Sequence, residues 1–253
     1  MIRKMSLRPA RTAAFIGALF CCASAQADVF SPYQAVYEVN RGNVMLGDTT
    51  FTMTRDKGDC YRIQGVAEPK GLAALFAGRM TEQSYFCVEN GHIRSHKYSI
   101  SREGGDDDDN YTLRFDWGNQ LVTTDNNDPR ELPAEGLDRT VMELALRQQL
   151  ARHLQLANGE LPQKQFVFLM VEDDEIKPYR FQVTGRETIR TPAGRFDAVK
   201  VERTNSQKRQ FRLWLAPELD YLPVLLERQK KDKPAVRMLL RKLPQNPAAQ
   251  NQP

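Results

Sequence analysis

Apolar and polar residues alternate with a period of two through most of this chain, a pattern that restricts it to β-strands burying one face. "YQAVYEVN" sets Tyr33, Ala35, Tyr37 and Val39 against Gln34, Val36, Glu38 and Asn40. "NYTLRFDW" sets Tyr111, Leu113, Phe115 and Trp117 against Thr112, Arg114 and Asp116, and "YRFQV" repeats the pattern with Tyr179, Phe181 and Val183. Turn-forming residues separate these runs at Arg41-Gly42-Asn43, Lys57-Gly58-Asp59, Glu89-Asn90-Gly91, Gly118-Asn119 and Pro192-Ala193-Gly194. The punctuation predicts roughly ten to twelve strands, most of them joined as hairpins.

Two segments break the period. "LDRTVMELALRQQLARHL" places Leu137, Val141, Leu144, Leu146, Leu150 and Leu154 on a helical stripe, with Thr140 and Glu143 expected as a capping box. "PKGLAALFAG", Pro69 to Gly78, predicts one or two helical turns between strands. A sheet of this size without closure must curl. The expected fold is therefore mainly β: a strongly curved antiparallel sheet or half-open β-barrel wrapped around one amphipathic helix. No linker interrupts the pattern, so residues 28–244 are expected to form a single domain. The Pro-, Gln- and Asn-rich tail 245–253 is expected to be disordered.

The N-terminus bears on compartment. Arg3, Lys4, Arg8 and Arg11 precede an apolar run from Thr12 to Cys22, and Ala25-Gln26-Ala27 follows. This is the three-part pattern of a secretory signal, with cleavage expected after Ala27 and a periplasmic location implied. The run, about 11 residues, is too short to span a bilayer, and no later segment is long and apolar enough to do so. Of the 36 basic residues four lie in 1–27, leaving 32 against 32 acidic ones. A nearly neutral exported chain has no net field to bind nucleic acid. Cys21 and Cys22 leave with the signal, and the remaining Cys60 and Cys87 are expected to pair in an oxidising compartment.

Candidate chemistry is sparse. In "FRLWLAPELDYLPVLLE" Phe211, Leu213 and Leu215 share one face and Arg212 and Trp214 the other, until Ala216-Pro217 breaks the strand. Glu218 and Asp220 then fall in the connection, where they read as turn residues and not as a glycosidase pair. His92 and His96, at i and i+4 of a predicted strand, share a face, but no third ligand is signalled. "GGDDDDN", Gly104 to Asn110, lacks the spacing of a calcium loop and reads as a solvated turn. No phosphate loop, dinucleotide fingerprint, nucleophile elbow or catalytic cysteine occurs, so no metal, cofactor or catalytic residue is expected.

Taken together, "YEVNRGNVMLGDTTFTMTRDKGDCYRIQGVAEPKGLAALFAG", "LDRTVMELAL", "TPAGRFDAVKVER" and "WLAPELDYLPVLLE" resemble, in that order, the bacterial envelope family called domain of unknown function 3108. The resemblance implies an exported β-rich domain and no particular reaction. The last strand–Pro–turn–strand unit is also similar to one in the periplasmic lipoprotein carriers, half-open barrels that hold acyl chains between sheet and helix. The expected function is binding or carriage of a hydrophobic ligand, a lipid or acyl chain. Leu72, Leu75 and Phe76 are expected at its mouth, with Tyr111, Phe115, Trp117 and Leu144 lining the interior, although the same side chains would serve equally to fill a core. The alternatives are an envelope protein–protein interaction or structural module binding through a strand edge, and a glycan-acting enzyme using Trp117 or Trp214 beside Glu218 and Asp220.

Overall fold

The computed structural model describes residues 28–104, 110–125 and 127–247. The segment 1–27, positions 105–109 of the acidic run and the last six residues of the tail lie outside the described residues. The first eight strands are β1 (Tyr33–Arg41), β2 (Val44–Arg55), β3 (Cys60–Pro69), β4 (Met80–Glu89), β5 (His92–Arg102), β6 (Tyr111–Asp116), β7 (Leu121–Thr124) and β8 (Arg130–Glu131). After them come β9 (Gly136–Leu137), the helix α1 (Arg139–Leu156), β10 (Phe166–Val171) and β11 (Ile176–Thr191). The chain finishes with β12 (Gly194–Arg203), β13 (Arg209–Ala216), β14 (Leu222–Lys230) and β15 (Val236–Gln245).

All fifteen strands join one sheet in the order β8-β7-β6-β5-β4-β3-β2-β1-β15-β14-β13-β12-β11-β10-β9. Each half is a run of hairpins, and β1 pairs with β15 to unite the halves. Every described pairing is antiparallel except β9 with β10, which α1 connects. A parallel pair needs a long crossover, and that requirement places the helix against a face of the sheet. The predicted count falls short of fifteen because β8 and β9 are two-residue pieces with no readable period.

The sheet is open but curved until its ends meet. β9, at one edge, touches β5, and α1 touches β4 and β5 on one side and β10 on the other. Arg130 of the opposite edge strand donates from Nη2 to the Glu172 and Asp173 carbonyls in the β10–β11 turn, each at 2.7 Å. Leu113, Phe115 and Val122 of β6 and β7 share a small core with Leu132 and Val171 across this seam.

The main core joins Met53, Tyr61, Ile63 and Phe86 to Phe168, Phe181, Val201 and Leu213 through the helix residues Val141, Leu144, Leu146, Leu150 and Leu154. The predicted stripe is buried, but burial extends past it to Met142, Ala145 and Arg147. The bend at Gly185 carries the end of the β11–β12 hairpin over its neighbours, where Ala193 N donates to the Leu240 carbonyl at 3.1 Å. Phe196, Trp214, Ala216 and Leu240 are covered there as a second core.

Helix α1 contains neither glycine nor proline between Arg139 and Leu156, so nothing interrupts its backbone ladder. Its cap corrects the expected Thr140/Glu143 box. The N-cap is Asp138, two residues earlier, whose carboxylate accepts from Thr140 N and Val141 N, each at 3.0 Å. At the other end Asn158 and Gly159 take positive φ and Gly159 N donates to the Leu154 carbonyl at 2.7 Å, which satisfies a terminal acceptor. "GLAAL", Gly71–Leu75, forms a short 3-10 turn between β3 and β4.

Cys60 and Cys87 are disulfide-bonded and face each other as ladder partners of β3 and β4. The connection after β13 is a corner: Pro217–Leu219 form a 3-10 turn and Asp220 and Tyr221 take positive φ. Asp220 Oδ1 accepts from Asp28 N at 3.2 Å, tying the start of the described chain to that corner.

Candidate functional site

Helix α1 carries charge on a second face. Arg139, Glu143 and Arg147 recur every four residues, a spacing that lines them up along one side of a helix. That side looks into a cavity of about 100 Å³ between the helix and strands β1–β4, β14 and β15. Leu144 and Arg228 border it, together with apolar positions that include Phe51, Met80 and Met238.

Glu82 anchors the deep end. It accepts from Tyr98 Oη at 2.8 Å, Arg139 Nε at 2.9 Å and Thr140 Oγ1 at 3.1 Å. Burial pushes the Glu82 carboxyl up, but the Arg139 charge and the Tyr98 hydroxyl outweigh burial and hold it below the usual value. Arg139 is raised in return: burial opposes its charge, and Glu82 overrides that. Burial and the Glu82 charge together hold Tyr98 protonated.

Directly beneath lies Asp138, fully buried. Besides the two helix amides it accepts from Ser84 Oγ and Ser95 Oγ, both at 2.7 Å, and its own N–H donates to Ser95 Oγ at 3.1 Å. Desolvation pushes its carboxyl up to about 6 against those donors. This knot fixes the helix start against β4 and β5, and so fixes Arg139 above it.

The other arginines are less well matched. Arg147 is 3% exposed; its Nη2 donates to the Asp220 carbonyl at 3.2 Å and its guanidinium lies 5.6 Å from the Tyr33 ring centre. Its Nε has no hydrogen-bond partner among the described residues. Arg228 stands over the Phe211 ring at 5.1 Å, and no hydrogen bond or ion pair of its guanidinium occurs among the described residues. Crowding by the cavity walls and the neighbouring Arg139 charge lower its pKa, although the residue remains water-accessible. Burial raises Glu143, with Arg147 and Arg228 partly offsetting it. Three guanidinium groups thus share two carboxylates around one small space, an arrangement that can accept an anion.

The four residues expected to line an apolar interior and the three expected at its mouth do not surround one space. Leu144 alone borders this cavity. Phe115 packs in the seam core with Tyr111 and Trp117 against it. Trp117 also donates to the Ser95 carbonyl at 2.8 Å and sits beneath Arg94. Leu72, Leu75 and Phe76 are 78%, 72% and 88% exposed and line no enclosed space, because their turn projects beyond the ends of β3 and β4. Trp214 is buried and donates to Glu187 Oε2 at 2.8 Å, so it offers no stacking face to a sugar. His96 pairs with Glu89 at 3.2 Å. Two larger clefts, about 1060 and 630 Å³, flank the C-terminal half of α1, but both are open at the surface.

The arginine row was present in the sequence as the four-residue spacing of Arg139, Glu143 and Arg147. On a helix with an apolar stripe that spacing reads as the solvent face. Only the curl of the sheet brings Glu82 and Arg228 to meet it.

The family described as "Protein of unknown function (DUF3108)" matches residues 35–241, most of the sequence. The chain belongs to that family. No curated protein matches. Among solved structures, the "Beta-barrel-like Protein of Domain of Unknown Function DUF1849 from Brucella abortus" superposes with a TM-score of 0.53 at 10% identity, covering 84% of this chain and 96% of that one. At that identity the likeness is one of fold, a curved barrel-like sheet.

Proposed function

We propose that this family member is an exported binding module that takes an anionic amphiphile by its polar head, with no catalysis. The observation that carries the reading is Arg228, a crowded guanidinium beside Arg139 with no carboxylate bonded to it. A guanidinium that reaches water and has no bonded counter-charge can take an anion in charge-assisted hydrogen bonds, and the unpartnered Nε of Arg147 gives the same cavity a second donor. A phosphate or carboxylate head satisfies both. The apolar part of such a ligand would leave past Ala67 and Met80 toward the β3–β4 connection.

The size of the cavity narrows the expectation of a hydrophobic cargo. At about 100 Å³ it is far below the roughly 300–1,000 Å³ that encloses a drug-sized ligand. A whole acyl chain does not fit within, while a head group does. Export is supported by the basic and apolar pattern of residues 1–27 and by the Cys60–Cys87 bond. Binding of a partner by strand addition is disfavoured, since both edge strands are two residues long and Arg130 ties one of them across the seam.

Calorimetric titration with dodecyl phosphate, dodecanol and inorganic phosphate tests the reading. Dodecyl phosphate should bind best, and Arg228→Met should weaken it by about 10- to 100-fold, the worth of one charged hydrogen bond. Equal affinity for dodecanol, or an unaffected Arg228→Met variant, would overturn it.

A further inference from the structure

Four neighbouring hairpin tips form one rim of the sheet, and their chemistry changes in order along it. The β3–β4 connection exposes Leu72, Leu75 and Phe76, and the adjoining β1–β2 tip exposes Val44 and Met45, at 61% and 42%. Exposed clusters of this kind mark interaction sites. The apolar connection is held in place. Lys70 N donates to the Leu46 carbonyl at 2.9 Å, and Ala77 N to the Ala73 carbonyl at 3.0 Å. Gly78 packs so closely on Glu103 that an added Cβ would lie 1.6 Å from its carbonyl oxygen.

Beyond Val44 the rim turns basic. Gly42 N donates to the Ala235 carbonyl at 3.3 Å, bringing the β1–β2 tip against the β14–β15 tip. That tip carries Lys230, Lys231 and Lys233 with one acid, Asp232. Lys231 N in turn donates to the Lys208 carbonyl at 2.9 Å, adding Lys208 and Arg209 of the β12–β13 tip. On the far side of the apolar tip, among the described residues, lies the acidic Glu103. From the apolar tip toward β12–β13 the exposed charge is predominantly positive.

We infer that this rim docks on the surface of an anionic lipid bilayer. Leu72, Leu75 and Phe76 enter the boundary between head groups and acyl chains, while the lysines of the β14–β15 and β12–β13 tips lie on the anionic head groups. The apolar side chains supply insertion and the basic tips supply attraction and orientation. Among the described residues no helix is long and apolar enough to cross a membrane, so this contact is peripheral. It is independent of the cavity arginines.

The test is co-sedimentation of the chain from Asp28 onward, which contains every described element and excludes the apolar run 12–22. Vesicles of phosphatidylcholine with phosphatidylglycerol are compared with phosphatidylcholine alone. The wild type should bind the anionic vesicles, and raised salt should weaken that binding. Replacing Leu72, Leu75 and Phe76 together by Ser should reduce it at least about tenfold, and Lys231→Glu with Lys233→Glu should remove the preference for anionic lipid. The substituted side chains are exposed, so an unchanged thermal transition confirms that both variants fold. Absence of wild-type binding to anionic vesicles would overturn the inference, as would undiminished binding by the triple-Ser variant. A wild-type dimer that the Ser variant abolishes, without lipid binding, would also overturn it by assigning the tip to a second copy of the chain.

Discussion

Arg139 and Arg228 line the same cavity with opposite debts. Arg139 is bonded to Glu82 and Tyr98, so its removal leaves a buried carboxylate without its counter-charge. Urea denaturation of Arg139→Met should show a loss of about 2–4 kcal/mol, below the usual range for a fully buried pair because Arg139 is partly exposed. Arg228 has no such bond, and crowding by the cavity walls and the Arg139 charge depress its pKa although the residue reaches water. Arg228→Met should therefore cost no more than about 0.5 kcal/mol, or stabilise the chain, while dodecyl phosphate binding weakens. A large destabilisation by Arg228→Met would show that the residue serves the fold.

Asp138 gives a pH signature at the same scale. Its folded pKa, raised to about 6 from 3.8, lets the folded chain keep a proton that the unfolded chain has released between those values. Its contribution to stability is thus greatest below pH 3.8, falls as pH rises, and levels off above pH 6. Glu82, lowered in the fold, acts in the opposite sense at acid pH, so the test is the difference between wild type and Asp138→Asn. That difference should change in favour of Asn between pH 4 and 6 and be flat above it. Asp138→Ala removes the cap and strands the Ser84 and Ser95 hydroxyls, and should cost about 2–4 kcal/mol near pH 4 and less above pH 6.

At the scale of the element, α1 joins two environments that a sequence pattern does not separate. Its apolar stripe was legible because Val141, Leu144, Leu150 and Leu154 repeat at helical spacing. The destination of its charged side was not, since a solvent-facing row and a cavity-facing row have the same spacing. The cap was misplaced for a similar local reason: Thr140 and Glu143 fit a capping box in sequence, yet Thr140 Oγ1 is drawn to Glu82 and Asp138 takes the amides. The β3–β4 pair was easier to read, since the two cysteines outside residues 1–27 have each other as partners. Cys60→Ser with Cys87→Ser opens a cross-link spanning 27 residues of sequence, and should lower urea stability by about 2–4 kcal/mol. An unchanged midpoint would mean that the β-ladder alone constrains these strands.

For the whole molecule, the period of two and the turn residues made a curled antiparallel sheet legible. The strand faces of "NYTLRFDW" and "FRLWLAP" were read correctly: Leu113 and Leu213 are buried within cores, and Trp214 lies apart from Leu213. What the chain's pattern did not carry is closure. The seam of Arg130 with the β10–β11 turn joins residues more than forty positions apart, and it determines that Phe115 and Tyr111 fill a core while a charged space opens elsewhere. Likewise "GLAALF" reads equally as a cavity mouth or as core, and its place beyond the strand ends leaves Leu72, Leu75 and Phe76 exposed.

Head-first entry of a ligand into the cavity would be visible in a crystal structure with bound dodecyl phosphate. Phosphate oxygens should lie about 3 Å from the guanidinium groups of Arg228 and Arg139, with the alkyl chain leaving past Met80 toward Leu72 and Phe76. An alkyl chain inside the sheet with its phosphate in solvent, or a ligand seated only in the open clefts beside the C-terminal half of α1, would contradict it.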